Sequence, residues 1–338
     1  MKIIHISHSD GRSGAGIAAK RIHEALESNK KNYKSLLLVN RNFNSDLKKI
    51  KKRNLIEKLF VICKLYLERF LINLLNYKDQ NFHSLSIFPS NINSEINKID
   101  HDIVNLHWVQ HEMISIEEIG KIKKPIVWTL HDAWPFSSTN HYPLSFSKEL
   151  LSLNNFKNQN NISLNERIDK WCLERKLKSW KQSMKIVCPS NWIAKCARDS
   201  EIMKNWDINV IPNPLNTDIF FPINKKKARK FLQIPNNKKL IVFGALDGTK
   251  DLRKGADLLF KTLNILQGIN NDFKLITFGK SDTRVRKNNL SIECFDMGFI
   301  SKDKDLAIIY SAADILIMPS RMESFGQVAS ESMACGTA

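Results

Sequence analysis

The stretch KIIHISHSDGRSGAGIAAKRIHEAL (residues 2–26) decides how the rest of the chain is read. KIIHIS is a short β-type run, HSDGRSGAG a loop, and IAAKRIHEAL reads as a helix. A strand running through a glycine-rich loop into a helix is the opening of a doubly wound α/β domain. Gly11, Gly14 and Gly16 permit close backbone approach there, and the helix N-terminus offers unpaired N–H groups to an anion. The spacing is not G-x-G-x-x-G, so a tight turn without a ligand competes with an anion cradle.

The alternation continues outward from this stretch. KSLLLV gives a second strand over 35–39, and DIVNLHW (102–108) and PIVWTLHD (125–132) give two more. Between them, residues 54–77 are helical, with Ile56, Leu59, Phe60, Cys63, Leu67, Phe70, Leu71 and Leu74 recurring at helix spacing. That helix reads either as a core helix of the first domain or, with KKIKKRN ahead of it, as a face that docks on an anionic membrane through Lys48, Lys49, Lys51 and Lys52. The Asn/Ser-rich segment 137–166 predicts a long exposed loop. A helix near 166–182, the strand KIVCPS and the helix NWIAKCARDS follow. Prolines in VIPNPLNTDIFFP then mark a joint, after which strands and helices alternate again as far as FGQVASESMA. The expected fold class is α/β, with two Rossmann-like domains over 1–212 and 213–338.

The 338 residues carry a net charge of +18, which attracts polyanions: nucleic acid, anionic lipid or phosphate-bearing substrates. A bias toward Lys, Asn and Ile offers a blander source for the surplus. No aromatic-interleaved basic motif or recognition module points to nucleic acid. The six cysteines are scattered without a C-x-x-C pair, as expected for a reducing cytosol rather than a disulfide framework. A polar break after six residues argues against a signal peptide, and no window offers 18 uncharged apolar residues, so a cytoplasmic protein is expected.

Three constellations carry candidate chemistry. In GALDGTKDLRKGADLL, Arg253 and Lys254 precede Gly255 and a helix, as a solvated basic loop or as two cations for a diphosphate. In PSRMESFGQVASESMACG, Glu323 lies in a loop before a helix beginning near Phe325, and Glu331 lies about five residues into it, roughly 8 Å further along. That separation suits two acceptors gripping two hydroxylated ends of one ligand; a capping carboxylate plus a surface glutamate is the alternative. His107 and His131 each close a strand, where this topology places its ligands; a satisfied structural histidine is the competing reading, more so for His107 than for His131. No Ser-His-Asp arrangement and no metal-ligand spacing stands out.

In order along the chain, GRSGAG, TLHDAWPFS, CPSNWIAKCARDS, VIPNPLNTDIFFP, RKGADLL and the Glu323-x7-Glu331 pattern resemble the retaining nucleotide-sugar glycosyltransferases of family 4. The resemblance implies the GT-B fold, two Rossmann-like domains facing a cleft. The LHDAWPFS…HY segment looks most like the subgroup that builds bacterial exopolysaccharide, capsule or lipopolysaccharide. It further implies that Glu323 holds hydroxyls of the donor sugar and Glu331 the ribose. The amides at Phe325 and Gly326 lie against the donor, and Lys254, with Arg253 nearby, neutralises the departing diphosphate. Gly14 and Gly16 let the first loop approach phosphates and acceptor, and His131 contacts the donor sugar. The resemblance also implies attack on the front face, with no side-chain nucleophile, no metal and no other cofactor. The implied partners are a UDP- or GDP-sugar and a lipid-linked or oligosaccharide acceptor, at the inner face of the cytoplasmic membrane.

The chain departs from the family pattern in three places. Ala245 stands where many relatives carry a basic residue, which shifts the clamp to Lys250 or Arg253. STNHYPLSFS lacks the cysteines that some of the subgroup have. Relatives continue past ACGTA, so the second domain is expected to be incomplete. An impaired remnant or a non-catalytic basic binding protein is the alternative function.

Overall fold

The structure, a computed structural model, describes residues 1–11, 13–28, 32–41, 48–49, 55–77, 81–90, 92–143, 162–246, 251–269, 272–280 and 292–338. It divides into two units, Met1–Pro214 and Leu215–Ala338. Each is built on a parallel sheet. In the first, β1 (Lys2–Ser9), β2 (Lys34–Arg41), β3 (Lys48–Lys49), β4 (Ile103–Leu106), β5 (Ile126–Thr129), β6 (Lys185–Cys188) and β7 (Asp207–Val210) lie in the order β3-β2-β1-β4-β5-β6-β7. The order reverses between β1 and β4, so the crevice beyond their carboxyl ends is the ligand position of this topology. Register aligns Ile4 with Val104 and Val104 with Ile126, which stacks β-branched side chains into a continuous core with Ile6, Leu106, Trp128 and Ile186.

Helices α1 (Gly14–Ser28), α2 (Leu55–Leu75), α3 (Ile92–Asn97), α4 (Ile116–Ile119), α5 (Leu164–Ser179) and α6 (Asn191–Asp199) complete the first unit. Ser115 starts α4 with a capping box, its hydroxyl taking the Glu118 N–H while the Glu118 carboxylate returns to the Ser115 N–H. In the second unit, β8 (Lys239–Gly244), β9 (Phe273–Phe278), β10 (Cys294–Asp296) and β11 (Ile315–Leu316) form the order β10-β9-β8-β11. Its helices are α7 (Lys225–Phe231), α8 (Ala256–Gln267), α9 (Asp303–Ala312) and α10 (Gln327–Ala334). Here the reversal falls between β8 and β11, whose following loops lead to α8 and α10.

Two sequence expectations change. Residues 137–143 are not an exposed loop: Ser137, Thr139 and His141 are buried, while 144–161 lie outside the described residues. Helix α2 is present, but not as a core helix. It turns Lys64 and Glu68 inward and leaves Leu59, Phe60, Tyr66, Phe70 and Leu74 each more than half exposed. The Lys64 ammonium donates to the Pro89 carbonyl, and Glu68 accepts the Leu85 N–H at 2.8 Å, so this inner face is held by polar bonds. The basic run ahead of α2 lies outside the residues whose side chains are described. Among the described residues, no helix is long and apolar enough to cross a membrane.

Candidate functional site

The second unit brings Lys254 and Glu323 together through a specific local construction. Asp251 accepts the Arg253 N–H at 3.1 Å and starts a single 3-10 turn, Leu252–Lys254. Gly255 follows with φ of +69°, a conformation that favours glycine, and leads into α8. A Cβ at Gly255 would lie 2.0 Å from the Pro319 carbonyl oxygen, so the two loops touch through glycine's missing side chain. Arg321 stitches them further. Its N–H donates to the Arg253 carbonyl at 2.7 Å, and its guanidinium donates to the Leu252 carbonyl at 2.6 Å and to both Asp257 oxygens at 2.8 Å.

With the loops so joined, Lys254 Nζ lies 2.5 Å from Glu323 Oε1, an oxygen that also accepts from Ser320 Oγ at 2.9 Å. Lys254 immediately precedes the N-cap of α8, and Glu323 stands shortly before Gly326, the N-cap of α10 with φ of +82°. Partial positive charge at two helix starts, plus one ammonium, makes this neighbourhood suited to an anion. Arg253 is committed elsewhere, donating to Asp251 at 2.9 and 2.6 Å. Ala245 is buried with its N–H on the Phe278 carbonyl, and Lys250 lies outside the described residues. Phe325, half-buried, precedes Gly326.

The two glutamates are not equivalent. Glu323 is partly accessible, whereas Glu331, the fifth residue of α10, is buried and accepts the Tyr310 hydroxyl at 2.7 Å. Tyr310 itself is fully buried on α9. Sequence reasoning picked out both carboxylates but neither Tyr310 nor Ser320, which carry no motif signal of their own.

In the first unit, the loop after β1 is closed by hydroxyls. Ser9 Oγ and Ser13 Oγ are 2.9 Å apart, and Ser13 Oγ accepts the Gly16 N–H at 3.0 Å. A Cβ on Gly16 would meet the Ser9 carbonyl at 2.7 Å, so this glycine lets α1 pack onto its own loop. Around a Cβ on Gly14 there is open space.

His131 lies just past β5, half-buried, and is joined to His107 and His5. His5 Nδ1 is 3.0 Å from His107 Nε2, and His107 Nδ1 is 3.0 Å from His131 Nε2. The rings stack at 5.3 Å in both pairs. Burial, aided by nearby His23, lowers the His5 pKa to about 3, and burial lowers His131 to about 4. An unfolded histidine near 6.5 binds more protons below that pH than native His5 does, so His5 lowers stability as pH falls through 6.5. Glu68, raised to about 8 chiefly by burial, works in the opposite direction, so the effect is read from a variant. Relative to wild type, His5→Phe should gain about 2 kcal/mol between pH 7.5 and pH 5, measured by urea unfolding at each pH. A pH-independent difference would contradict this assignment.

The segment after His131 is a packed polar network. Asp132 accepts from Trp108 Nε1 at 2.6 Å and from the Trp134 N–H at 3.1 Å, and lies 2.6 Å from His141 Nδ1. His141 Nε2 is 3.0 Å from Ser84 Oγ. This assembles a serine–histidine–aspartate connectivity that the sequence did not show. All three side chains are buried, and the array anchors the segment rather than presenting a nucleophile. Lys176, fully buried, donates to the carbonyls of Trp134, Ser137 and Ser138 and lies 3.8 Å from the centre of the Trp134 ring. Those bonds explain why a polar stretch is interior.

The chain has the α/β GT-B fold. Sucrose-phosphate synthase from Thermosynechococcus elongatus superposes with a TM-score of 0.62 at 19% identity, covering 99% of this chain and 79% of that one. HepE from Anabaena, in complex with UDP and glucose, gives 0.59 at 14% identity, covering 100% and 79%. Residues 224–338 match the family model "Glycosyl transferases group 1". D-inositol 3-phosphate glycosyltransferase of Mycolicibacterium smegmatis is 30% identical over 139 residues, 38% of this chain and 31% of that protein. An uncharacterized 41.2 kDa protein in the cps region of Klebsiella pneumoniae is 30% identical over 158 residues, 46% of this chain and 42% of that protein. The matched stretch therefore spans less than half the length of these relatives. Residues 224–338, within the second unit, are thus similar to group 1 glycosyltransferases.

Proposed function

We propose that the protein is a retaining glycosyltransferase that moves a sugar from a UDP- or GDP-sugar to a growing, lipid-linked bacterial surface glycan. The observation that carries this reading is the Lys254–Glu323 pair, held where α8 and α10 begin. A diphosphate bound there has an ammonium and helix-terminal N–H groups against it, while Glu323 and Glu331 accept from hydroxyls of sugar and ribose. Phe325 and Gly326 supply backbone to the donor, Gly14 and Gly16 shape the loop of the first unit, and His131 contacts the sugar. Arg253, through its bonds to Asp251, shapes the turn that carries Lys254.

In the reaction, the bond from the anomeric carbon to the β-phosphate breaks and a bond to an acceptor hydroxyl forms on the same face. The departing phosphate oxygen takes the acceptor's proton. Charge grows on the leaving diphosphate, and Lys254 offsets it; in this reading the step needs neither a metal nor a side-chain nucleophile. The test is nucleoside-diphosphate release from a panel of UDP- and GDP-sugars. One donor should release its nucleotide, and Glu331→Gln, which keeps volume and a partner for Tyr310, should weaken its binding about tenfold with little change in Tm. No release from any donor would favour a non-catalytic protein.

The exposed apolar face of α2 supports a peripheral site at the inner membrane surface, where a lipid-linked acceptor resides. Vesicles containing anionic lipid should sediment the wild type, and Phe60→Asp combined with Phe70→Asp should abolish it with the fold intact by circular dichroism. Equal sedimentation of both proteins would contradict membrane docking through this helix.

A further inference from the structure

The three-histidine chain of the first unit has a property beyond its separate residues. His5 is in register with Asn105 of β4, and His107 follows two positions later on the same face, so β1 and β4 set the first pair. His131, past the end of the adjacent strand β5, completes a row that runs from the buried interior to a half-buried ring at the sheet's carboxyl edge. A neutral imidazole has one N–H and one lone pair. His107 bonds through both nitrogens, so its two bonds must run in the same direction, and one tautomer choice sets all three rings.

The direction follows from the inner end. Among the described residues, His5 Nε2 is buried without a hydrogen-bond partner. If the chain ran inward, that atom would be an orphaned N–H; if outward, only an unfilled lone pair. Orphaned buried N–H groups are the rarer of the two in proteins. The nearby His23 ring, 6.1 Å from His5, meets it edge-on and bonds Ser35 Oγ at 2.7 Å, so it does not extend the row. With no described partner at its inner end, the row is read as orienting rather than as conducting a proton.

We propose that His107 is a positioning residue: with His5 behind it, it fixes His131 as the neutral Nδ1–H tautomer, so that His131 meets a sugar oxygen as a hydrogen-bond donor. This rests on the reading of His131 as a contact of the donor sugar. Among the described residues, His23 lies beside His5 and Asp132 beside His131; burial, with His23 acting in the same direction, outweighs Asp132 in keeping the rings uncharged.

The full chain, labelled with 15N-histidine, tests the arrangement directly. Two-bond 1H–15N spectra at pH 6 and 7.5 should show His5, His107 and His131 neutral and protonated at Nδ1. An imidazolium at pH 6, or an Nε2–H form of His131, overturns the proposal. His107→Phe keeps a buried planar ring and removes both bonds. It should mix the His131 tautomers and weaken UDP-glucose or GDP-mannose binding about fivefold, leaving UDP or GDP binding unchanged. An equal loss for nucleotide and nucleotide sugar, or no loss, overturns it. Should that variant misfold, His5→Phe leaves the outer bond and should likewise mix the His131 tautomers; an unmixed His131 counts against the coupling. If neither nucleotide nor nucleotide sugar binds the wild type, the functional reading fails, while the spectra still decide the chain of tautomers.

Discussion

Lys254→Ala is expected to slow sugar transfer by roughly two to three orders of magnitude, the scale found when one preorganised donor to developing charge is removed. The leaving diphosphate gains negative charge as the anomeric bond breaks, and Lys254 is the ammonium held beside the starts of α8 and α10. Arg253 does not replace it, because its guanidinium is spent on Asp251. The variant also leaves the Glu323 carboxylate with Ser320 alone among the partners described above. Steady-state nucleotide release should show the loss mainly in kcat, since the charge develops in the transition state. Lys254→Arg should recover part of the rate, restoring charge with a different shape. A rate for Lys254→Ala within a few-fold of wild type would remove Lys254 from the chemistry.

Gly255→Ala should be the most damaging small substitution in the second unit. The residue sits at φ of +69°, which costs an alanine about 1 kcal/mol, and its new methyl would lie 2.0 Å from the Pro319 carbonyl oxygen. Backbone cannot swing aside like a flexible side chain. The loops would have to part, against the Arg321 bonds to Arg253, Leu252 and Asp257 that hold them together. We expect a loss of at least about 3 kcal/mol in urea unfolding, together with failure to bind a nucleotide sugar, because Lys254 and Glu323 approach only when the loops do. Gly14→Ala is the control: open space surrounds its Cβ position, and stability should stay within about 0.5 kcal/mol. Wild-type stability in Gly255→Ala would show that the contact between the loops is dispensable.

Much of the fold was legible because its signals are local. Strand, glycine loop and helix over residues 2–26 follow from chain order alone, as does the second run of alternation after the prolines. The position of Glu323 in a loop and of Glu331 five residues into a helix was readable too. What sequence could not give is which side of an element meets water. Helix α2 has clear helical spacing of apolar residues, yet period does not say which stripe faces inward, and here Lys64 and Glu68 do. Residues 137–143 read as exposed because they are polar. They are interior because Asp132 and Lys176, from elsewhere in the chain, satisfy their neighbours and carbonyls. The histidine row depends on strand register, which joins residues about a hundred positions apart. Within the site, Tyr310 and Ser320 were invisible for the same reason: each matters through a contact, not a motif.

The central claim is that the second unit grips a nucleoside diphosphate beside Lys254. Isothermal titration of the full chain with UDP and GDP, each against its monophosphate, tests it most directly. The account predicts one-to-one binding of one diphosphate, at least tenfold tighter than the corresponding monophosphate, with the difference lost in Lys254→Ala. Equal affinity for diphosphate and monophosphate, or a preference that survives in Lys254→Ala, would contradict it.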